Sequence, residues 1–403
     1  MTGREDRVVV CAVARTPFGR FNGGLAAIAG PRLAALAIDE VIRRAGIDRA
    51  LIDSVYAGTG MVGGATLTAA RQAVLLSSLA ETTPSTGVDR ACCSGMSAIG
   101  LGYRDILSGA ARAVICGGFD SLSQTPLLWP RPHSARVGPV VAADPLQMRG
   151  SVVDRPIAVY TGEEALRHGV SREAQDAWAV ASHRRYFAAE SDSYFDFERF
   201  PVAVPAAKGA SAEFAMDESP RADTSVDKLS RLTPIYGGLT VTAGNAPGLN
   251  DGAAFVLLAD DEFARAHGRA VLARVRGHVM VAGGPTSGSY TPAVAIAAVL
   301  RAQRMTPDDM HLFEINEAFA ATPLVSTQRL ADADPARTQR LRDRTNVHGG
   351  AVAIGHPLGA SGARIAMTLI NGLRRRGGGQ GAAAICGGFG QGEALLVEVE
   401  ARG

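Results

Sequence analysis

The residues that could do chemistry are two thiols, one imidazole and one amide, each set in a short run of small residues. Cys92 stands in Val88-Asp89-Arg90-Ala91-Cys92-Cys93-Ser94-Gly95-Met96, where an extended lead-in meets a helix with apolar residues at Met96, Ile99, Leu101, Tyr103 and Leu107. A thiol at such a junction lies beside unsatisfied N–H groups and the positive end of the helix dipole, which stabilise a thiolate. The plainer alternative is two small cysteines packing a helix start. His356 precedes Pro357, a residue suited to the first turn of a helix, so it stands where positive charge is disfavoured and the imidazole stays neutral. Gly349, Gly350, Gly355, Gly359 and Gly362 surround it and would let a ligand approach the backbone, unless the histidine is simply structural. Asn316, in Phe313-Glu314-Ile315-Asn316-Glu317-Ala318-Phe319, forms no motif by physics alone and could merely cap the next helix. Cys386 runs into Gly387-Gly388-Phe389-Gly390, where a thiol could serve as a base beside N–H donors for an oxyanion, or mark an ordinary strand-end turn. Together these groups suggest Cys-His acyl transfer, and physics by itself stops there.

The elements that must position them alternate. A β-branched run over 7–14 precedes a helical period over 33–45, and short apolar runs at 113–116, 253–258, 271–275 and 382–386 read as buried strands. From 121 to 244 this rhythm breaks, with long irregular parts around 125–154 and 197–234 and one clear helix over 171–189, Ser171 as its cap and Glu173 in its first turn. The stretch reads as an inserted loop domain. Val114-Ile115-Cys116-Gly117-Gly118-Phe119 recurs near the C-terminus as Ala384-Ile385-Cys386-Gly387-Gly388-Phe389, either by chance between two buried strands or because an α/β half is duplicated.

With 403 residues, 47% apolar and 20% charged, the chain is globular rather than disordered or fibrous. A net charge of +2 and the lack of a basic-aromatic stripe argue against nucleic acid as a partner. No run of 18 uncharged apolar residues is present, so no membrane span or membrane partner is expected. Five cysteines without regular spacing and a charged start read as reduced thiols in the cytoplasm. No Cys-x-x-Cys or paired histidines suggest a metal. No Lys-Ser/Thr follows the C-terminal glycines, so they form no phosphate loop.

Taken together, the four constellations resemble the thiolase family of acyl-CoA C-acyltransferases over nearly the whole chain. The resemblance runs through Ala14-Arg15-Thr16-Pro17-Phe18-Gly19, Pro84 to Ile99, Gly117 to Ser121, Thr240 to Asn245, Asn250 to Ala254, Asn316-Glu317-Ala318-Phe319 and Gly355-His356-Pro357. It implies an α/β fold of five αβαβα layers from two similar halves, residues 1–120 with 245–270 and residues 271–403, plus a loop domain at 121–244 that binds coenzyme A. Cys92 matches the nucleophile, with Cys93 at a variable position. His356 matches the imidazole that activates it, Cys386 the acid/base, and Asn316 the holder of a water that shares one oxyanion hole with His356. The N–H groups of Cys92 and Gly388 would form the other hole. The expected reaction is condensation of acetyl-CoA with an acyl-CoA, or CoA-dependent thiolysis of a 3-oxoacyl-CoA as in fatty-acid β-oxidation. Coenzyme A and acyl-CoA enter as substrates, with no resident cofactor, and the assembly is a homodimer or homotetramer. The alternatives are a non-catalytic acyl-CoA-binding member or another condensing enzyme of the superfamily.

Arg221, Lys228, Ala243, Pro247 and Phe319 fall where the resemblance places CoA contacts; Lys208 and Lys228 are the only lysines. The departures are informative. Pro247 replaces a usual Ser, Ile157-Ala158-Val159 a usual His-Met-Gly, and Val281-Ala282 a common Met-Gly, while His348 stands where Asn is frequent. Losing both methionines should widen the acyl pocket and favour substrates longer than acetoacetyl-CoA.

Overall fold

The computed structural model describes residues 7–61, 67–129, 142–150, 152–205 and 210–401. Lys208, one of the two lysines, lies outside them. The first part of the chain forms β1 (Val8–Arg15), β2 (Gly19–Arg20), α1 (Gly30–Ala45), β3 (Ser54–Gly58), α2 (Ala69–Leu76), β4 (Ser85–Val88), α3 (Ser94–Ser108) and β5 (Ala113–Ser121). Then come α4 (Ile157–Arg167), α5 (Arg172–Ser191), the hairpin β6 (Val202–Pro205) and β7 (Ser211–Phe214), and α6 (Val226–Ser230). The chain returns to the sheet as β8 (Asn250–Asp260), followed by α7 (Asp261–Ala266), β9 (Ala273–Ala282), α8 (Thr291–Ala302) and β10 (Leu312–Ile315). The last part is α9 (Ala321–Leu330), α10 (Pro335–Arg342), α11 (Ala351–Ile354), α12 (Leu358–Arg375), β11 (Gly379–Gly387) and β12 (Gln391–Val399).

Ten of these strands share one sheet, in the order β10-β11-β12-β9-β1-β8-β5-β3-β4, with β2 beside β8. The order reads as two copies of one unit. β5 lies between parallel β3 and antiparallel β8, and β11 lies between parallel β10 and antiparallel β12. The repeated Val-Ile-Cys-Gly-Gly and Ala-Ile-Cys-Gly-Gly runs therefore occupy equivalent strands, which favours duplication over chance. The units meet where β1 pairs antiparallel with β9, Val9 opposite Arg274 and Val10 opposite Ala273.

Alternation along each strand sorts its side chains into layers. On β8, Phe255 and Leu257 pack with Leu33, Ile38 and Val74 of α1 and α2, while Ala254, Val256 and Leu258 face α3 and α12. On β12, Leu395 and Val397 face that same central pair, while Ala394 and Leu396 pack with Ile296 and Val299 of α8. The two half-sheets therefore face each other across α3 and α12, with outer helices beyond each. This is the five-layered α/β arrangement. Buried strands in the middle of such a stack read as continuous apolar runs, which is why the sequence shows them plainly.

Between β5 and β8 no strand among the described residues joins the main sheet, though an isolated bridge ties Arg199 to Arg15 of β1. Helix α5 keeps the expected cap, the Ser171 hydroxyl accepting the Ala174 N–H at 3.3 Å. The stretch 197–234 is less irregular than its sequence implied, since it holds the β6–β7 hairpin and α6. Each strand is only four residues long, with Val202, Val204 and Phe214 on its inner side, too short a run for its alternation to stand out.

Helices α3 and α12 cross at van der Waals contact because glycines line the crossing. A Cβ on Gly95 would lie 2.2 Å from the Gly359 carbonyl oxygen, one on Gly362 2.4 Å from the Met96 nitrogen, and one on Gly118 2.1 Å from the Gly359 oxygen. The glycines near His356 thus serve close packing, not the approach of a ligand: Gly355, at φ +112°, faces the Asn250 amide, and Gly350 faces the Glu317 carboxylate. Replacing Gly95 by Ala must push the helices apart. We expect G95A to lower the unfolding free energy by about 1–3 kcal/mol, the usual range for overpacking. Denaturant unfolding checks this, and unchanged stability would mean the crossing has slack.

Candidate active site

Cys92 sits in the turn between β4 and α3, immediately before the helix cap Cys93. The turn is strained: Ala91 has φ +51°, a conformation that costs a non-glycine residue about 1 kcal/mol or more. It is held there from both ends. The Ala91 N–H donates to Asp89 Oδ1 at 3.1 Å, and Ser94 Oγ accepts the Arg90 N–H at 2.9 Å while its hydroxyl reaches the Ala91 carbonyl at 2.6 Å. The Cys92 thiol is driven well above its usual range, first by burial and then by Cys386 and the Asp120 carboxylate. This corrects the expectation of a lowered thiol pKa. The hydrogen bond from the residue's own N–H lowers it, but by less than burial raises it.

His356 occupies the matching place before α12. Its N–H donates to Asn250 Oδ1 at 2.8 Å, and its ring Nδ1 lies 2.6 Å from Ser361 Oγ. The Ser361 hydroxyl donates its own proton to the Pro357 carbonyl at 2.8 Å, so Nδ1 must carry the ring hydrogen. Nε2 is left as a bare lone pair, buried and without a hydrogen-bond partner among the described residues. Burial, with help from the Arg364 cation, pulls the imidazole pKa down to about 3, so the ring is neutral as expected.

Cys386 ends β11. In that strand Ile315 of β10 stands opposite Ala384, so Asn316 leaves the sheet at the same end as Cys386. Burial first, and then the Glu164 carboxylate, push the Cys386 thiol up to about 12, with the Thr322 hydroxyl opposing. The following turn packs on the Cys92 turn. A Cβ on Gly387 would meet the Arg90 carbonyl at 2.8 Å and Cys93 Sγ at 3.0 Å, and one on Gly388 would lie 3.5 Å from the Ala91 Cβ. Asn316 is fully buried; it caps no helix, since α9 begins only at Ala321. Its Nδ2 has no hydrogen-bond partner among the described residues.

Cys92 and His356 line one cavity of about 260 Å³, whose wall includes Ala158, Ala243, Pro247 and Phe319. Three of the five expected CoA contacts are therefore on the wall of this cavity. Arg221 and Lys228 are not. The Arg221 N–H donates to His183 Nδ1 at 3.1 Å, and Lys228 pairs with Asp223 at 2.6 Å on the surface. Val281 also lies elsewhere, packed with Val279 against the outer C-terminal layer, so of the two missing methionines only the one replaced by Ala158 can change this cavity. His348 stacks on Tyr194 with ring centroids 3.7 Å apart, a packing role.

Several positioning residues were not singled out for these roles in the sequence. Asp120 accepts N–H bonds from Gly60, Met61 and Gly359 at 3.1, 3.2 and 2.6 Å, tying the start of α12 to β5. Glu317, fully buried, accepts from Trp178, Ser182, Asn346 and the Val352 N–H, joining the inserted region to the turn after Asn316. Asn250 and Ser361 hold His356. Each carries a polar side chain inside an apolar or glycine-rich run, the one local signal available.

Comparison with known proteins then decides the family. The N-terminal thiolase domain matches residues 8–262 and the C-terminal thiolase domain residues 269–399. The chain belongs to the thiolase family. It is similar to the β-ketoadipyl-CoA thiolase of Pseudomonas aeruginosa, 36% identical over 97% of this chain and 98% of that one. Among solved structures, the acetyl-CoA acetyltransferase of Bacillus anthracis superposes with a TM-score of 0.92 at 32% identity, covering 98% of each chain. Human mitochondrial 3-ketoacyl-CoA thiolase in complex with CoA superposes at 0.91 and 32% identity, over 98% of this chain and 99% of that one. Among the described residues no cluster of metal-ligating side chains exists, and no helix is long and apolar enough to cross a membrane.

The buried imidazoles of this thiolase make it acid-sensitive. Burial pulls His183 and His348 down to about 4, as it pulls His356 to about 3, against an ordinary 6.5. Below pH 6.5 the unfolded chain binds protons that the folded chain refuses, so stability present above that pH is lost as pH falls toward 4. Each histidine contributes a slope of up to about 1.4 kcal/mol per pH unit. Denaturant unfolding between pH 7 and 4 should show the decline, and H183Q, which keeps an acceptor for the Arg221 N–H, should flatten it. An equally steep decline in H183Q would exclude His183 as a source.

Proposed function

We propose that this acyltransferase of the thiolase family carries its acyl group on Cys92, with His356 as the base that activates the sulfur and Cys386 as the acid and base for the second substrate. The observation that carries the reading is the unpartnered Nε2 of His356 on the same cavity as Cys92, its tautomer set by Ser361.

In the forward direction, Nε2 takes the Cys92 proton as the sulfur attacks the carbonyl of an acyl-CoA. The oxyanion forms against the N–H groups of Cys92 and Gly388. The bond to the CoA sulfur breaks, and CoA leaves as a thiol with the Cys386 proton. The acyl-enzyme then faces a Cys386 thiolate balanced by the His356 imidazolium. Acetyl-CoA enters, the thiolate removes its α-proton, and the enolate oxygen is stabilised by His356 and a water held by Asn316. The enolate carbon attacks the acyl group, the bond to Cys92 breaks, and the imidazolium returns its proton to the departing sulfur. All three groups end as they began. Run backward, the same steps cleave a 3-oxoacyl-CoA.

This cycle suits the pKa shifts. A thiol pushed up to about 12 is a poor acid at rest but a strong base once its proton has gone to the leaving CoA. The lining of the cavity by Ala243, Pro247 and Phe319, and the CoA complex of the human relative, support CoA binding there. Pro247 offers no hydroxyl, so that part of the CoA arm meets apolar surface. Ala158 leaves room for an acyl chain longer than acetoacetyl. The division into residues 1–120 with 245–270, a CoA-binding loop domain at 121–244 and residues 271–403 follows the return of the chain to β8. Five free, buried cysteines fit a reducing compartment such as the cytoplasm, and the open edge of β4, with Thr86 and Gly87 exposed, suits assembly into a homodimer or homotetramer. Acetyl-CoA treatment should place an acetyl group on Cys92, seen by peptide mass spectrometry and absent in C92S. Label on Cys93 instead would overturn the assignment. In thiolysis, kcat/KM should be higher for longer 3-oxoacyl-CoA substrates than for acetoacetyl-CoA, and A158M should reverse that order; a wild-type preference for acetoacetyl-CoA would refute the wider pocket.

A further inference from the structure

We propose that Arg364 is a positioning residue for Asn316: its guanidinium holds the amide oxygen and thereby aims the amide NH2 into the reaction site. The inference rests on the role given to Asn316 above. Arg364 lies two turns beyond His356 on α12 and is fully buried. Its Nη2 donates to Asn316 Oδ1 at 3.5 Å, and its Nη1 lies 3.5 Å from Glu314 Oε2.

The chemistry allows one orientation. A guanidinium has five donors and no acceptor, so an amide beside it must present its oxygen; the opposite flip would set N–H against N–H. The backbone from which the amide projects is itself fixed, the Asn316 N–H being bound to the Ala384 carbonyl at 2.9 Å. With Oδ1 occupied, Nδ2 points away from Arg364 and is buried with no hydrogen-bond partner among the described residues. An unpartnered buried donor is costly, and such groups are kept where function uses them. Glu314 stands two residues before Asn316, on the same face of the strand by the two-residue period, and its Oε2 faces the guanidinium without a hydrogen bond to it.

The test separates the two half-reactions. Acyl transfer to Cys92 does not call on Asn316, whereas removal of the acetyl-CoA α-proton does. R364K keeps a buried cation beside Glu314 but lacks the planar fork; R364M/E314Q removes both charges together, so that no lone carboxylate is left buried. Thermal melts confirm that each variant is folded. We expect acetyl labelling of Cys92 to proceed within about twofold of the parent rate. Exchange of the acetyl-CoA methyl protons with D2O should fall roughly 10- to 100-fold in R364M/E314Q and by less in R364K, since the donor is misaimed rather than removed. In an N316A background, R364M/E314Q should slow exchange by no more than about twofold further. Labelling and exchange that fall together, or effects that add fully to N316A, would overturn the proposal. If N316A alone leaves exchange intact, it is the reading of Asn316 that fails, and the role of Arg364 falls with it.

Discussion

The contact on which this structure depends is the crossing of α3 and α12. Each helix begins beside a reactive group, Cys92 before one and His356 before the other, and each comes from a different copy of the repeated unit. With side chains at the crossing, two helices would stand about 8–10 Å apart. Glycines at 95, 359 and 362 remove that spacing, Gly118 lets β5 close on the start of α12, and Gly58 lets β3 close on the start of α3. Asp120 then fastens the junction by binding three backbone N–H groups, one from α12 and two from the loop after β3. The thiol and the imidazole meet because the two halves are held at backbone distance, not because either local motif makes a site alone.

Duplication explains the geometry further. In both units a strand, a helix and a second strand lead to a central helix whose N-terminus opens at the same end of the sheet. The first copy supplies Cys92 there and the second supplies His356. The second copy adds Cys386 at the end of β11 and Asn316 at the end of β10, whose parallel pairing delivers both to one edge. The inserted region closes the assembly, with Glu317 accepting hydrogen bonds from Trp178 and Ser182 of α5.

Much of this was legible in the sequence, for identifiable reasons. The layers were visible because strands buried on both faces carry unbroken apolar runs, as on β8, where every residue is buried. The four reactive positions stood out because thiols, an imidazole and an amide among small residues are unusual. What stayed hidden depended on tertiary partners. The pKa of Cys92 could not be read from its place before a helix, since burial among residues distant in the chain outweighs the local dipole. The glycines around His356 looked like room for a ligand, and only the fold shows that other backbone fills it. Arg364 was not singled out, because its neighbours Glu314 and Asn316 lie 50 and 48 residues away in sequence. The β6–β7 pair, four residues a strand, was too short for the inward Val202 and Val204 to show as a period.

Burial of the site has a consequence for how it must work. It raises both thiols and lowers the imidazole, so the resting groups are all neutral. Any single ion there would be costly, because its charge would be taken out of water without a partner. A proton moved between two of these groups instead creates an ion pair of no net charge, whose members attract strongly at short range in a medium of low dielectric constant. Each step proposed for this thiolase keeps that balance: thiolate with imidazolium, then enolate with imidazolium, then two neutral groups again. On the proposed mechanism, charge separation at Cys92 becomes favourable only when a thioester carbonyl is present to accept the electron pair. An idle enzyme holds a protonated, poorly nucleophilic sulfur, which is protected from adventitious electrophiles until substrate itself completes the site.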